Sequence, residues 1–227
     1  MLKSGLHLLI AGVDDAGRGA VIGPLVIAGI AMKEENLRKL VEIGAKDSKL
    51  LTPHRREVLS MQIKQIAYNF HIIELSPREI DNVVFNGWKL HKLNRLEAHV
   101  MADVIETLNP DKAIVDASDV LANRFREHIV ERLTHKIEVI SEHKADRNYP
   151  IVGAASILAK VTRDHKIDEL KKLLGDFGSG YPSDPRTMKF LRDCAQKWTE
   201  YPEFVRKSWE PAKKTRAEND QRQTRLT

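Results

Sequence analysis

The sequence predicts an α/β fold, in which a mixed five-stranded sheet is flanked by helices and followed by a helical C-terminal section. Short apolar runs with strand character alternate with segments of helical periodicity along the first 174 residues. The last strand pattern ends at Ser141, and only helical patterns follow it. This order of elements indicates one sheet with helices packed on its faces.

The predicted strands are short and bounded by turn residues. The first two are joined by a brief glycine-rich turn, so we expect them to pair antiparallel. The five strands are Leu8–Asp14, Leu25–Met32, Tyr68–Leu75, Lys112–Asp116 and Lys136–Ser141.

Capping signals and apolar periodicity locate the helices. Thr52 before Pro53 is typical of a helix N-terminus, and Gly175 ends the long helix that precedes it. Residues 178–185 form a loop rich in Gly, Ser and Pro. The predicted helices are Glu34–Ile43, Arg55–Ala67, Pro77–Val83, Trp88–Leu108, Val120–Thr134, Ala154–Leu174 and Pro185–Trp198.

Three regions follow from this pattern. We expect residues 1–174 to form the main α/β domain and residues 175–209 a helical section packed on it. We expect residues 210–227 to form a basic, flexible tail, because this stretch is polar and has no apolar period.

Composition narrows the class of protein. The 227 residues carry a formal net charge of +5, which favours anionic partners such as nucleic acid. No apolar run is long enough to span a bilayer, and the N-terminus lacks the features of a signal peptide. Cys194 is the one cysteine, so no intrachain disulfide forms, and we expect a cytoplasmic protein in which this residue serves packing.

The most informative motif is Gly12-Val13-Asp14-Asp15-Ala16-Gly17-Arg18-Gly19, where an apolar run ends in two carboxylates and a Gly-Arg-Gly turn. Carboxylates at the end of a buried strand are costly unless their charge is offset, and Mg²⁺ prefers oxygen ligands. Glycines on both sides of an arginine let the backbone approach a ligand closely. The motif therefore indicates either metal-assisted chemistry on a phosphate-bearing polymer or an ordinary strand end with a polar turn.

Two further aspartates favour the metal site. Asp116 ends a predicted strand, and Asp146 follows the next one. Strand ends gather at one edge of a sheet built with helical crossovers, so these residues form a set with Asp14 and Asp15. Paired metal ions held by carboxylates are a general means of phosphodiester cleavage, and this set suits Mg²⁺ or Mn²⁺. Taken singly, Asp116 is better explained as a cap or turn residue and Asp146 as a solvated loop charge.

Strand geometry constrains the two adjacent aspartates. Neighbouring residues of a regular strand point to opposite faces of the sheet. Asp14 and Asp15 therefore share a metal cluster only if the strand ends or bulges between them, which the following Gly-Arg-Gly turn favours.

Other motif-based functions are excluded. Gly17 and Gly19 follow a strand, as in dinucleotide-binding sites, but the next glycine is Gly23, one position too late, and another strand follows. The sequence has no G-x-x-x-x-G-K-[ST] phosphate loop, and its nine histidines form neither an H-E-x-x-H motif nor a Cys/His zinc pattern.

Six segments in the same order resemble ribonuclease HII, the type 2 ribonuclease H family, and in particular its archaeal branch. The resemblance runs from Leu8 to about Trp209. It rests on Gly12–Gly19, Asp47-Ser48-Lys49, Val115-Asp116, His143–Asp146, Ala154–Asp164 and Gly178–Pro185. It implies a ribonuclease H-like fold, with residues 1–174 as the catalytic domain. It also implies two-metal-ion hydrolysis of the RNA strand of RNA–DNA hybrids. Cleavage 5′ of a single ribonucleotide in duplex DNA, leaving a 3′-hydroxyl and a 5′-phosphate, is implied as well.

The resemblance further implies roles for the four aspartates. Asp14, Asp15, Asp116 and Asp146 fall on the metal-binding, catalytic positions of the family. In this interpretation Asp14 and Asp116 share the metals, and the other two complete the coordination.

Substrate contacts are implied in the same way. Gly17, Arg18 and Gly19 fall on a motif whose backbone senses the ribose 2′-hydroxyl, the group that separates RNA from DNA at one nucleotide. Tyr181 falls on a tyrosine that stacks at the RNA–DNA junction. The candidate phosphate contacts are Ser48, Lys49, Ser156, Lys160 and Arg163.

Asp15 departs from the family pattern, which usually has glutamate at this position. Aspartate is shorter by one C–C bond, about 1.5 Å. Its carboxylate then reaches one metal less well or through a water, so we expect the metal affinity or the Mg²⁺/Mn²⁺ preference to differ from that of relatives with glutamate.

Two alternatives stay open. One is an endonuclease V-like enzyme of the same fold that cuts deaminated nucleic acid, against which the pairing of Gly-Arg-Gly with Gly-Tyr-Pro-Ser-Asp-Pro argues. The other is a non-catalytic hybrid-binding module, against which the four carboxylates argue, because they repel phosphate. We expect a monomer, and contact between the basic tail and a replication clamp is a further hypothesis.

Overall fold

The computed structural model describes residues 8–45, 51–86 and 92–224. They contain the five-stranded sheet that the sequence predicts, and its strand order is β3-β2-β1-β4-β5. Its strands are β1 Leu9–Ala16, β2 Leu25–Lys33, β3 Asn69–Leu75, β4 Lys112–Asp116 and β5 Glu138–Glu142. The predicted antiparallel pairing of β1 with β2 is confirmed, and the sheet is mixed because β4 runs parallel to both β1 and β5.

Helices fill most of the remaining described chain, and none of them is long and apolar enough to cross a membrane. Their bounds are α1 Arg38–Glu42, α2 Pro53–Ile66, α3 Pro77–Asn86, α4 Lys92–Leu108, α5 Ala122–Val130, α6 Ala145–Asn148, α7 Pro150–Leu174, α8 Pro185–Lys197 and α9 Glu210–Thr224. The predicted cap of α2 is confirmed, since Thr52 accepts a hydrogen bond from the Arg55 N–H at 3.2 Å.

Several predicted helix bounds shift. The predicted helix Glu34–Ile43 is a 3₁₀ turn, Glu34–Asn36, followed by the short α1. α7 begins at Pro150 rather than Ala154, because proline is well tolerated in the first turn of a helix. α5 is shorter than predicted at both ends. The predicted start at Trp88 lies outside the described residues.

The chain divides into two compact units. The first unit comprises Met1–Ala16, Val26–Ile73 and Asn94–Thr162, and the second comprises Gly17–Leu25, Glu74–Leu93 and Arg163–Thr227. The domain boundaries expected after residues 174 and 209 stay a prediction.

Each unit has its own apolar core. In the first, Val26 and Ile30 of β2 pack with Leu59 of α2 and with Ile157 and Leu158 of α7.

In the second unit, Ile22, Phe177, Leu191 and Val205 are buried together with Cys194. Burial raises the pKa of the Cys194 thiol to about 11, so this residue is a packing element, as predicted.

The prediction of a flexible tail is wrong for residues 210–224, which form α9. Ala212 and Thr215 are buried, and Arg216 donates to the carbonyls of Ala195 and Trp198 at 2.7 and 2.8 Å. These contacts involve residues about twenty positions away, so the local polar pattern gave no sign of them.

Candidate active site

The C-terminal ends of β1 and β4 bring two of the predicted carboxylates together. The strands run parallel, with Val13 paired to Val115, and the next residue in each is an aspartate. Asp14 is only 4% exposed, whereas Asp116 is partly exposed. The sheet edge predicted from the sequence therefore places Asp14 and Asp116 at the same level.

The surroundings of Asp14 disfavour its negative charge. Its pKa is raised well above the usual range, first because the carboxyl is buried and then because Asp15 and Asp116 repel its negative charge. A hydrogen bond from Ser156 and the positive charge of Lys160 oppose this rise. These two residues lie one turn apart on α7, where Lys160 Nζ donates to Ser156 Oγ at 2.6 Å.

Gly12 explains how α7 approaches the strand. A Cβ at this position would lie 2.5 Å from the backbone carbonyl of Ile151, so a larger residue would push the helix away from β1. Ser156 is fully buried and is a hydrogen-bond partner of Asp14, and its role as a phosphate contact stays a prediction. Lys160 is partly exposed and keeps access to a ligand.

Asp15 lies on the other face of the sheet from Asp14. The predicted strand end or bulge between them is absent from this stretch, because pairing with β2 continues through Asp15 and Ala16. The side chain of Asp15 accepts a hydrogen bond from Ser118 Oγ at 3.0 Å. The carboxylate of Asp14 instead accepts the Asp15 backbone N–H at 2.7 Å.

Asp146 lies in the short helix α6 and is almost fully buried. The preceding Lys144 adopts a left-handed conformation with φ of 59°. Asp116 Oδ1 accepts a hydrogen bond from the N–H of Ala145 at 2.8 Å. This contact ties the start of α6 to Asp116 and places Asp146 one residue from the point of attachment.

The donor set fits a hard divalent cation. In the parts of the chain that the structure describes, no group of three or more His, Cys, Asp or Glu side chains is arranged to hold a metal ion. Asp14 and Asp116 nevertheless supply oxygen ligands. A bound cation would offset the charge of Asp14, whose pKa is raised by burial and then by repulsion from Asp15 and Asp116.

The Gly-Arg-Gly segment belongs to the second unit. Gly17 has φ of 93°, and a Cβ there would lie 2.5 Å from Arg163 Nε and 2.7 Å from the carbonyl of Pro24. Glycine is therefore required on both conformational and steric grounds. Ala20 N–H donates to the Gly17 carbonyl at 3.1 Å, which closes a turn around Arg18 and Gly19.

Tyr181 packs on an arginine in the same unit. The guanidinium carbon of Arg163 lies 4.5 Å from the centroid of the Tyr181 ring. Arg163 is 4% exposed and donates to the carbonyl of Ser179 at 3.2 Å, and burial lowers its pKa. Arg163 thus supports the tyrosine loop, and its role as a phosphate contact stays a prediction.

Sequence reasoning missed Arg206, because the residue belongs to none of the motifs that the sequence offers. This residue is fully buried and donates to the Arg18 carbonyl at 2.8 Å. Its partner lies 188 positions away, so no local signal could have revealed the contact. The predicted contacts Ser48 and Lys49 lie outside the described residues.

The model of the family described as Ribonuclease HII matches residues 11–212. The chain belongs to the ribonuclease HII family. Ribonuclease HII of Pyrococcus furiosus is 47% identical over 220 residues, 96% of both chains. The crystal structure of ribonuclease H2 from Pyrococcus horikoshii OT3 has 44% identity and a TM-score of 0.86, covering 94% of this chain and 99% of that one. RNase HII in the PCNA:RNase HII complex from Archaeoglobus fulgidus has 40% identity and a TM-score of 0.81, with 91% and 96% covered.

Membership of the ribonuclease HII family defines the activity. The protein is a metal-dependent endonuclease that hydrolyses the RNA strand of RNA–DNA hybrids. The resemblance to archaeal ribonuclease HII and the predicted ribonuclease H-like α/β fold are both confirmed. Neither the endonuclease V-like nuclease nor the non-catalytic hybrid-binding module is supported.

Proposed function

We propose that Asp14 and Asp116 hold a catalytic divalent cation, Mg²⁺ or Mn²⁺, and that Asp15 and Asp146 complete its surroundings. The observation that carries this proposal is the pair of parallel strand ends, where burial and then repulsion from Asp15 and Asp116 raise the pKa of Asp14. Mg²⁺ usually keeps several waters and takes one or two protein carboxylates, which agrees with a site that offers few side-chain ligands.

The chain's own residues prepare this site for phosphodiester hydrolysis. When bound, the cation supplies charge neutralisation at the scissile phosphate and activation of the attacking water. Ser156 holds Asp14 by a hydrogen bond, and the Ala145 N–H holds Asp116. Lys160 is the partly exposed cation beside this pair, and we assign it a phosphate contact.

In the second unit we assign recognition of the ribonucleotide to Gly17, Arg18, Gly19 and Tyr181. A turn of this kind presents backbone groups to a ligand, and Gly19 is exposed. A ribose 2′-hydroxyl both donates and accepts hydrogen bonds. Tyr181, supported by Arg163, offers a ring on which a sugar or base can stack. The substrate thus extends from long hybrids to a single ribonucleotide in duplex DNA, incised on its 5′ side to leave a 3′-hydroxyl and a 5′-phosphate.

The experiment for this function compares three duplexes that carry one ribonucleotide, one inosine or neither, with Mg²⁺, Mn²⁺ or EDTA. We expect metal-dependent incision 5′ of the ribonucleotide only, and its loss in Asp116→Asn. The matched control is Asp103→Asn, which changes an exposed carboxylate of α4 that pairs with Arg132. Incision at inosine alone, or binding without incision, would contradict the proposal.

We also propose that the C-terminal residues 210–227 contact a sliding clamp. We further propose that the protein acts as a cytoplasmic monomer. The support is the relative from Archaeoglobus fulgidus, whose structure was solved as a complex with PCNA. A chain that ends at residue 220 keeps the buried Ala212 and Thr215 of α9. We expect it to lose clamp affinity in surface plasmon resonance while it keeps its rate on the single-ribonucleotide duplex. Unchanged clamp affinity would place the contact elsewhere.

A further inference from the structure

Arg206 is a fully buried arginine between α8 and α9 that binds two carbonyls of the Gly-Arg-Gly region. Its Nη1 donates to the Arg18 carbonyl at 2.8 Å, and its Nε donates to the Gly23 carbonyl at 3.1 Å. The guanidinium carbon lies 4.9 Å from the centroid of the Trp209 ring. Hydrogen bonds from a charged donor are roughly twice as strong as neutral ones, so the Arg18 carbonyl is held firmly.

The backbone on both sides of these contacts is also fixed. The Gly23 N–H donates to the Phe204 carbonyl, and the Arg206 N–H donates to the Val21 carbonyl, both at 2.9 Å. An antiparallel bridge joins Ile22 and Val205 between them. Residues 21–23 and 204–206 therefore form a short ladder that sets where the Arg206 side chain begins.

Asp81 of α3 secures the residues that follow Arg206. It is 7% exposed and accepts hydrogen bonds from the backbone N–H groups of Lys207 and Ser208 at 2.8 and 2.9 Å. A buried carboxylate with several backbone donors is a rigid anchor. Arg206 is thus held between the ladder and Asp81.

Holding the Arg18 carbonyl determines the direction of the Gly19 N–H. The peptide bond between them is planar and trans, so its C=O and N–H point in opposite directions. The carbonyl points to the buried guanidinium of Arg206, and the N–H therefore points away from it. Gly19 is exposed, and from this we infer that an N–H directed away from the buried Arg206 side chain is available to a ligand.

We propose that Arg206 is a positioning residue for ribonucleotide recognition, because it sets the Arg18–Gly19 peptide so that the Gly19 N–H meets the ribose 2′-hydroxyl. This rests on the proposed role of Gly17–Gly19 in reading the ribose. Arg206 contacts no substrate in this role, and its effect is on discrimination between a ribonucleotide and a deoxyribonucleotide.

The test measures dissociation constants in EDTA for a duplex with one ribonucleotide and for the same duplex without it. The ratio of the two constants reports discrimination, and a loss of folded protein leaves it unchanged. We expect Arg206→Met to lower the ratio roughly 3–10-fold, the effect of one hydrogen bond, with unchanged affinity for the all-DNA duplex. Arg206→Lys keeps the charge but not the planar fork, so it should restore only part of the ratio.

Arg216→Met is the matched control. Arg216 also donates to two carbonyls, those of Ala195 and Trp198, and lies 4.5 Å from the Tyr201 ring centroid, but it holds no part of the Gly-Arg-Gly turn. We expect this variant to keep the wild-type ratio. An equal fall in the ratio for Arg216→Met would show a general effect of losing a packed arginine and would overturn the proposal.

A second pair of variants separates this inference from the proposed function. Gly19→Pro removes the N–H, whereas Gly19→Ala keeps it and adds a Cβ whose nearest contact is Tyr181 at 4.0 Å. An unchanged ratio in Gly19→Pro, or no discrimination by the wild type, would contradict the proposed recognition itself. A ratio that falls in Gly19→Pro but not in Arg206→Met would overturn the role of Arg206 alone.

Discussion

Asp15 is held within a regular pair of strands, and its side chain points to the face opposite that of Asp14. It interacts with Asp14 by charge and with Ser118 by a hydrogen bond. Its carboxylate therefore has to reach around the strand to share a cation with Asp14. A longer side chain would relax this requirement.

We expect Asp15→Glu to change the metal dependence of cleavage. The extra C–C bond adds about 1.5 Å of reach, so the half-saturating Mg²⁺ concentration should fall or the ratio of Mg²⁺ to Mn²⁺ rates should shift. Metal titrations of the initial cleavage rate measure this effect. Asp103→Glu, the same change at an exposed site of α4, is the control. If rate and metal dependence are both unchanged, reach at residue 15 does not limit metal binding.

A second prediction concerns Gly17 and its effect on the free energy of unfolding. Ala at a left-handed position costs about 1–2 kcal/mol in backbone conformation alone. Gly175→Ala, with φ of 82° and no atom within 4 Å of the new Cβ, should show only this cost. Gly17→Ala also meets Arg163 and Pro24, so its free energy of unfolding in urea should fall further. Equal losses of unfolding free energy in the two variants would mean that Arg163 and Pro24 move away from the new Cβ at no cost.

At this scale the sequence identified residue types better than side-chain directions. Asp14 and Asp116 were predictable because each ends an apolar run that reads as a strand. The sheet face to which the Asp15 side chain points was not predictable. It depends on the pairing of β1 with β2, which continues through Asp15, whereas the predicted strand ends at Asp14. The burial of Arg163 and Ser156 was not predictable, because the sequence does not show when a polar residue is buried.

Among the elements, the loop from Gly178 to Asp184 owes its shape to one carboxylate. Asp184 caps α8 through the Arg186 N–H at 3.0 Å and accepts the Ser179 N–H at 2.8 Å. These contacts lower the pKa of Asp184 to about 2, and the hydrogen bond from the Ser179 N–H has the largest effect. Tyr181 lies between the two bonded ends, so the cap fixes the position of the ring.

We expect Asp184→Ala to lower both the melting temperature and the affinity for the single-ribonucleotide duplex. Thr52→Ala removes the N-cap of α2 instead, so it should lower the melting temperature alone. Because the folded-state pKa of Asp184 is depressed, its stabilisation is present above about pH 4 and is lost as the pH falls towards 2. The difference in melting temperature between Asp184→Ala and the wild type should thus be constant between pH 5 and 8. A difference that varies with pH in this range would show that the stabilisation does not come from the ionised Asp184.

Helix α9 shows where element prediction from sequence fails. Its residues lack an apolar period, and the helix is stabilised by the buried Ala212 and by Arg216 bound to carbonyls of residues 195 and 198. The strands were predictable because their apolar runs are local, whereas this helix depends on contacts distant in sequence.

At the scale of the whole molecule, the residues proposed for metal binding and those proposed for ribonucleotide recognition belong to separate units. The carboxylates, Ser156 and Lys160 belong to the first unit, and Gly17–Gly19, Tyr181 and Arg206 belong to the second. The fold class was predictable because alternating strands and helices limit the architecture. The division into units was not, because the second unit combines three segments far apart in the sequence.

The central claim is that Asp14 belongs to the metal site, and its raised pKa gives the claim a signature in the metal-free protein. Ionised Asp14 destabilises the fold above the unfolded-state pKa of about 4, because the folded state favours its protonated form. Asp14→Asn removes that charge. Its stabilising effect should appear at neutral pH and shrink as the pH falls towards 4.

The most direct measurement compares wild type with Asp14→Asn in thermal melts and in cleavage of the single-ribonucleotide duplex, each with EDTA or Mg²⁺. We expect the variant to melt higher than wild type in EDTA, to gain less from Mg²⁺, and to lose at least about 100-fold in rate, because a catalytic metal is worth several kcal/mol. Cleavage near the wild-type rate, or an undiminished gain in melting temperature from Mg²⁺, would remove Asp14 from the metal site.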